Sequence, residues 1–285
     1  MTDGKRKTRW SDFLEFPVMG RNVKPRETGL TMVIDKGLGY TETKELLELA
    51  AEYIDFIKLG FGTSALYSAH LLRRKIELVR SHGVHIFPGG TFLEVAILQG
   101  KLKEYLRISR ELGYSGIEVS DGTIKMEPEV RADAIKRAVD LGFIVLSEVG
   151  KKDPRDHVES LMLHKQIEED LRNGAYKVIV EGRESGKGVV IYDSKGEVKR
   201  AELNALQSAV KDLNAILWEA PLKKQQQELI MQFGPNVNLG NIQPNEVLAL
   251  EALRLGLRGD TLRTCLQSGD SAVDKMPVGE EIKEA

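Results

Sequence analysis

Acidic residues recur in this sequence directly after short apolar runs, and lysine or arginine follows several of them closely. VIDK brings Asp35 and Lys36, IEVSD brings Glu118, Ser120 and Asp121, and LSEVGKK brings Glu148, Lys151 and Lys152. IVEGR brings Glu181 and Arg183, LWEAP brings Glu219, and Lys58 lies inside another apolar run. Carboxylates gathered in one place repel one another, so such a set calls for counter-charge. A divalent cation with oxygen ligands, most naturally Mg2+, would supply it, while lysine and arginine would hold anionic groups of a substrate. Acids after apolar runs also serve as solvated loops or helix N-caps. Their recurrence at one run after another favours a site.

Glycine-bearing segments add anion-binding candidates. Gly89, Gly90 and Thr91 follow the run HIFP. EGRESGKG at 181–188 is one residue too short for a nucleotide-triphosphate loop, and Lys187 is followed by Gly188 rather than serine or threonine. The segment reads instead as a loop presenting Arg183 and Lys187 to an anion. Asn238 and Asn241 in NVNLGNI, and Arg258, Gly259 and Asp260 in LRLGLRGDT, lie where backbone N–H groups at a short helix start could bind phosphate. The latter group could equally cap the last helix. His70, His82, His85, His157 and His164 show no HExxH or paired ligand spacing and read as surface or packing residues.

These residues need a scaffold that brings strand ends together. Eight short apolar or β-branched runs, at 31–35, 53–60, 84–90, 116–122, 143–150, 176–182, 215–221 and 236–242, read as strands. Helix-period segments lie between them, several closed by a glycine, as at Gly83, Gly113, Gly142, Gly174 and Gly256. Continuous apolar strands alternating with helices indicate a parallel sheet covered by helices. Eight units without a linker or composition break predict an α/β fold, a single (β/α)8 TIM barrel, spanning 29–265. Its active site is expected at the carboxyl ends of the strands. An open doubly wound sheet is the alternative, but DKGLGYTE after the first strand lacks the G-x-G-x-x-G spacing of a dinucleotide site. Residues 1–28 form an N-terminal extension whose Trp10, Phe13, Leu14 and Phe16 would plug the barrel bottom or pack on a neighbouring subunit. Residues 266–285 read as a frayed tail.

Composition sets the outer limits. The 285 residues are 41% hydrophobic and 29% charged, enough apolar content for a full core. A net charge of −2 with interspersed signs gives no general footprint for nucleic acid or membrane. The basic run at 5–9 reads as a solvated terminus. Cys265 is the single cysteine, so neither an internal disulfide nor a thiolate metal cluster is available within one chain. With no apolar run of membrane-spanning length and no signal core, the cytoplasm is the expected compartment.

Taken in order, DKGLG, IDFIKLGFGTSA, PGGT, IEVSDGT, VLSEVGKK, EGRESGKG, EAP, VNLGNI and LRGDT resemble the phosphosulfolactate synthase family across roughly residues 30–262. The resemblance implies a carbon–sulfur lyase working in the synthetic direction, in which sulfite adds to phosphoenolpyruvate with Mg2+ to give (2R)-phosphosulfolactate. In that family the product leads to coenzyme M in methanogens and to sulfolactate in some spore-forming bacteria. By the family's pattern the general acid that protonates the enediolate maps to Lys152, with Lys151 as a structural partner; spacing alone does not separate the two. Lys58 and Lys36 are further catalytic candidates. Asp35, Glu118, Glu148 and Glu181 are the candidate metal ligands by their strand-end positions. The resemblance also implies a homo-oligomer. Plant heat-stress proteins resemble the same family, so a catalytically silent barrel acting as a stress or scaffold protein is the competing expectation, with a barrel using another enol phosphate as a third.

Overall fold

A computed structural model of the chain describes Trp10, residues 13–151 and residues 160–268. Strands and helices alternate: β1 (Thr31–Asp35), α1 (Tyr40–Ala50), β2 (Phe56–Leu59), α2 (Ala69–Ser81), β3 (His85–Pro88), α3 (Gly90–Leu98), α4 (Leu102–Leu112) and β4 (Gly116–Val119). There follow α5 (Pro128–Asp140), β5 (Ile144–Val149), α6 (Ser160–Arg172), β6 (Lys177–Val180), α7 (Arg200–Ala209), β7 (Ile216–Glu219) and α8 (Lys223–Phe233). β8 (Leu239–Ile242), α9 (Val247–Arg254) and α10 (Gly259–Ser268) complete the series. The strands pair in parallel in the order β3-β2-β1-β8-β7-β6-β5-β4. Ser115 brings the two ends of that sheet together. Its N–H donates to Ile86 O at 3.2 Å, and its Oγ accepts from Ile86 N at 3.0 Å. The fold is a (β/α)8 TIM barrel.

Strand residues two apart share a face, and this alternation builds the interior in layers. Met32, Phe56, Phe87, Leu146, Ile179 and Leu217 pack on one another inside the barrel. Two residues further along their strands stand Ile34, Lys58, Glu148, Glu181 and Glu219. The apolar layer is thus the floor, and the charged layer lies above it towards the strand ends. Gly116 and Gly240 keep the floor closed: a Cβ on Gly116 would sit 3.4 Å from Phe87 Cβ, and one on Gly240 would sit 2.6 Å from Met32 Cε. Strand residues of the other parity, such as Val33, Ile57, Val145 and Val178, belong to the larger core between barrel and helices.

Two helices lie beyond the segments read as helical from sequence. α3 is built from GTFLEVAIL, an apolar run without a polar face, so its period is not visible. α10 begins at Gly259, where sequence offered a phosphate site or a cap. Residues 17–28 cross the N-terminal end of the barrel. Val18 N–H donates to Leu255 O at 3.2 Å, Arg21 pairs with Glu251 at 3.0 Å, and Arg26 grips Asp55 at 2.8 Å. Trp10 and Phe13 stay exposed. Among the described residues no helix is long and apolar enough to cross a membrane.

Candidate active site

The charged layer converges on Lys58. Its ammonium lies 2.9 Å from Glu118 Oε2, 3.1 Å from Glu148 Oε2 and 3.2 Å from Glu219 Oε1, and all four side chains are buried. Burial alone would pull the lysine pKa down. The surrounding charges of Glu118, Glu148, Glu219 and Glu181 outweigh it and hold the group well above its ordinary value. With no metal on those carboxylates, Lys58 is therefore a positive charge at neutral pH.

Backbone N–H groups of the adjoining loops orient the carboxylates. Gly90 N–H, at the start of α3, donates to Glu118 Oε1 at 2.6 Å. Gly182 N–H donates to Glu219 Oε2 at 3.0 Å, and Arg183 N–H to Glu181 Oε1 at 2.6 Å. The first two positions need glycine for space. A Cβ on Gly90 would collide with Ser120 Oγ, and one on Gly182 would come within 2.6 Å of Glu219 O.

Above this floor opens a cavity of about 270 Å3. Among the described residues, Glu118, Glu148, Glu181, Glu184 and Glu219 line it against two cations, Lys58 and Arg183. That excess of negative charge would repel an anionic ligand unless a cation joined it. Glu148, Glu181 and Glu219 can each offer one carboxylate oxygen, and the three oxygens lie within 4.8 Å of one another. An all-oxygen, anionic donor set of this kind suits Mg2+ or another hard divalent ion. Asn241 adds a buried Oδ1 with no hydrogen-bond partner among the described residues.

The residues singled out from sequence divide by place. Lys58, Glu118, Glu148, Glu181, Gly89, Gly90, Thr91, Arg183 and Asn241 all line this cavity. Lys36 reaches its rim only indirectly, through a 2.8 Å ion pair with Glu184. Lys187 is exposed and outside the lining. Asp35 has the parity of Val33 and faces the helix layer, where Lys75 Nζ of α2 sits 2.5 Å from its Oδ2. Its Oδ1 accepts from Gly37 and Leu38 N–H, both at 2.8 Å, so Asp35 shapes the β1–α1 loop. Asn238 lies at the start of β8, binding Leu30 N–H and the carbonyls of Asn214 and Ile216 at the opposite end of the barrel. Arg258 and Gly259 form a separate depression with Asp260 and Arg263. Lys152 and His157 lie outside the described residues.

Lys151 is engaged by the neighbouring loop. Its ammonium donates to Asp121 O at 2.5 Å, Asp121 Oδ2 at 2.9 Å and Ile124 O at 3.2 Å. Asp121 is gripped from behind by Arg131 of α5, at 3.1 Å. Arg131 also donates to Glu148 O at 2.8 Å and pairs with Asp170 of α6 at 2.6 Å. Burial opposes its charge, but the bonds to Asp170 outweigh burial and raise its pKa. Glu94 of α3 fastens the same loop, accepting from Ser120 Oγ at 2.6 Å, Thr123 N–H at 3.0 Å and Ile124 N–H at 2.9 Å.

Three features escaped the sequence reading. Glu219 was legible as a strand-end acid but was not placed among the metal candidates, because nothing in one sequence ranks equivalent strand ends. Arg131 and Lys75 sit on helices, away from any strand end. Each nonetheless occupies an apolar stripe: Leu72, Lys75, Ile76 and Val79 on α2, and Arg131, Ala134, Ile135 and Ala138 on α5. A charged residue at such a position is a detectable sign of a buried ion pair.

The sequence profile of the family described as (2R)-phospho-3-sulfolactate synthase (ComA) matches residues 19–260. The phosphosulfolactate synthase of Methanothermobacter thermautotrophicus is 46% identical over 253 residues, covering 88% of this chain and 96% of that protein. Its namesake from Bacillus subtilis is 42% identical over 256 residues, covering 88% and 98%. Among solved structures, the YdjI aldolase of Escherichia coli K12 superposes with a TM-score of 0.51 at 13% identity, covering 86% of this chain and 91% of that one. That likeness concerns the barrel alone. A cavity that sets carboxylates and cations at the strand ends, in a chain matched from Met19 to Asp260, identifies an enzyme that belongs to the phosphosulfolactate synthase family.

Proposed function

We propose that the chain catalyses the Mg2+-dependent addition of sulfite to phosphoenolpyruvate, giving (2R)-phosphosulfolactate. The observation that carries this reading is the cluster of Glu148, Glu181 and Glu219 beside Glu118 and Lys58, in a cavity of about 270 Å3. Mg2+ held by those three glutamates would supply positive charge against the negative charge that develops on the substrate carboxylate. Lys58 keeps the glutamates in place and prevents their mutual repulsion from opening the barrel mouth. Arg183, whose guanidinium has no ion-pair partner among the described residues, is the cation available to a phosphate, with Thr91 and Ser185 beside it in the lining.

Sulfur attack at C3 makes the new carbon–sulfur bond and drives the enol electrons toward the carboxylate. Protonation at C2 then restores a saturated centre. Lys58 is engaged by Glu118, Glu148 and Glu219 on the cavity floor. The family's pattern gives the acid role to Lys152; Lys151 is bonded to three oxygens of the β4–α5 loop.

The test is sulfite-dependent consumption of phosphoenolpyruvate by the purified chain, with Mg2+ and with excess chelator. Activity is expected with the metal and not with chelator, and Lys152→Ala should lower it at least about a hundredfold without loss of fold. If the wild-type chain with Mg2+ neither binds phosphoenolpyruvate nor consumes sulfite, the silent-barrel reading replaces this one.

A further inference from the structure

Three non-glycine residues with left-handed backbone line the same cavity: Phe61 (φ 55°), Arg183 (φ 58°) and Asn241 (φ 53°). Asparagine tolerates this region, and Arg183 is held there by its short bond to Glu181. Phe61 has no such excuse, since a bulky side chain in this conformation is strained. Glycines flank it on both sides, in GFG, and either could have taken the position without strain. The ring is also 63% exposed at the mouth of a polar cavity, where it gains little from burial. The chain thus holds an aromatic ring in a strained, water-exposed position at the edge of the reaction chamber. Of the four non-glycine residues with positive φ among the described residues, three line this cavity and Val190 (φ 37°) does not; strain gathered at the cavity points to a ligand.

The rest of the lining narrows down which part of a ligand the ring meets. Among the described lining residues Phe61 is the aromatic one, and apart from it, Ile34 and the glycines the lining side chains are charged or polar. The substrate proposed above carries a phosphate and a carboxylate, suited to Arg183 and to a metal on the glutamates. Its one feature without charge is the terminal methylene, the carbon that must accept the nucleophile. We propose that Phe61 is a specificity-determining residue that covers this methylene end, limiting the size of the C3 substituent and of the nucleophile that reaches it. The assignment rests on the reading that the substrate is a small enol phosphate.

The experiment compares wild type with Phe61→Gly, Phe61→Ala and Phe61→Tyr, using phosphoenolpyruvate and its C3-methyl homologue with sulfite and Mg2+. Steady-state constants, Tm and mass by light scattering are read for each. Phe61→Gly relieves the backbone, so its Tm should equal or exceed that of wild type. Both truncations should raise the ratio of kcat/KM for the methyl homologue to that for phosphoenolpyruvate by about tenfold or more. Phe61→Tyr should keep the wild-type ratio. An unchanged ratio in both truncations, with active wild type, would overturn the proposal. A changed mass with an unchanged ratio would also overturn it and would give the ring to a contact with a second copy. Wild type inactive on both substrates would instead sink the enzyme reading itself.

Discussion

Replacing Lys58 by methionine would leave Glu118, Glu148 and Glu219 facing one another inside the barrel without the ammonium that bridges them. Breaking a buried pair in this way costs about 3–5 kcal/mol, because the charges left behind lose their compensation. The sign of the pH dependence follows from the direction of each shift. In wild type the folded pKa of Lys58 lies above the ordinary 10.5, so its stabilisation is complete below pH 10.5 and is lost only at more alkaline pH. In the methionine variant the clustered carboxylates bind protons more readily folded than unfolded, so stability should recover as pH falls. Urea melts at pH 5, 7 and 9 would show a gap between variant and wild type that narrows toward pH 5. A gap independent of pH would mean that Lys58 only fills space. Lys58 and the glutamates were legible in the sequence because polar residues interrupt apolar strands at the same depth. Asp35 looked equivalent and is not. One step of parity sends it to Lys75 in the helix layer, and a strand read as continuously apolar gives no parity.

At the scale of elements, β5 runs on into Gly150 and Lys151, and what fixes that end is a chain of ion pairs running back through two helices. Lys151 binds Asp121, Asp121 binds Arg131, and Arg131 binds both Glu148 O and Asp170. Asp121→Ala removes the middle link and leaves the buried Arg131–Asp170 pair intact. We expect a modest loss of stability, about 1–2 kcal/mol, since Lys151 and Asp121 are only partly buried. The larger effect should fall on kcat, with KM for phosphoenolpyruvate nearly unchanged, because β5 leads directly into Lys152 while the lining cations are untouched. Equal losses in Tm-matched variants elsewhere on α5 would argue against a positioning role. Such chains are hard to read from sequence. The strands announced themselves through apolar runs bounded by glycine and charge, whereas α3 was hidden by its uniformly apolar sequence. Arg131 was not singled out within its helical segment, although its spacing from Ala134, Ile135 and Ala138 placed it on the buried stripe.

For the molecule as a whole, the carboxylate cluster exists only when β5, β6 and β7 lie side by side, since Glu148, Glu181 and Glu219 are far apart in the unfolded chain. A metal that binds the cluster binds the folded state alone, and therefore stabilises it by mass action. At a hundredfold excess over its Kd, Mg2+ should add about 2.7 kcal/mol, a rise of roughly 5–10 °C in Tm for a barrel of this size. Chelator should reverse the rise, and Glu219→Gln should abolish most of it. Asp35→Asn should keep the full increment even if its baseline Tm is lower, because Asp35 faces away from the cavity. Phosphoenolpyruvate tests the same electrostatics from the other side. Among the described lining residues five glutamates stand against two cations, which disfavours an anion until the metal is present, so the substrate should raise Tm with Mg2+ and fail to do so without it. A substrate shift of equal size in chelator would mean that Arg183 and the loop backbone suffice for binding, and that the three glutamates have some task other than holding a cation.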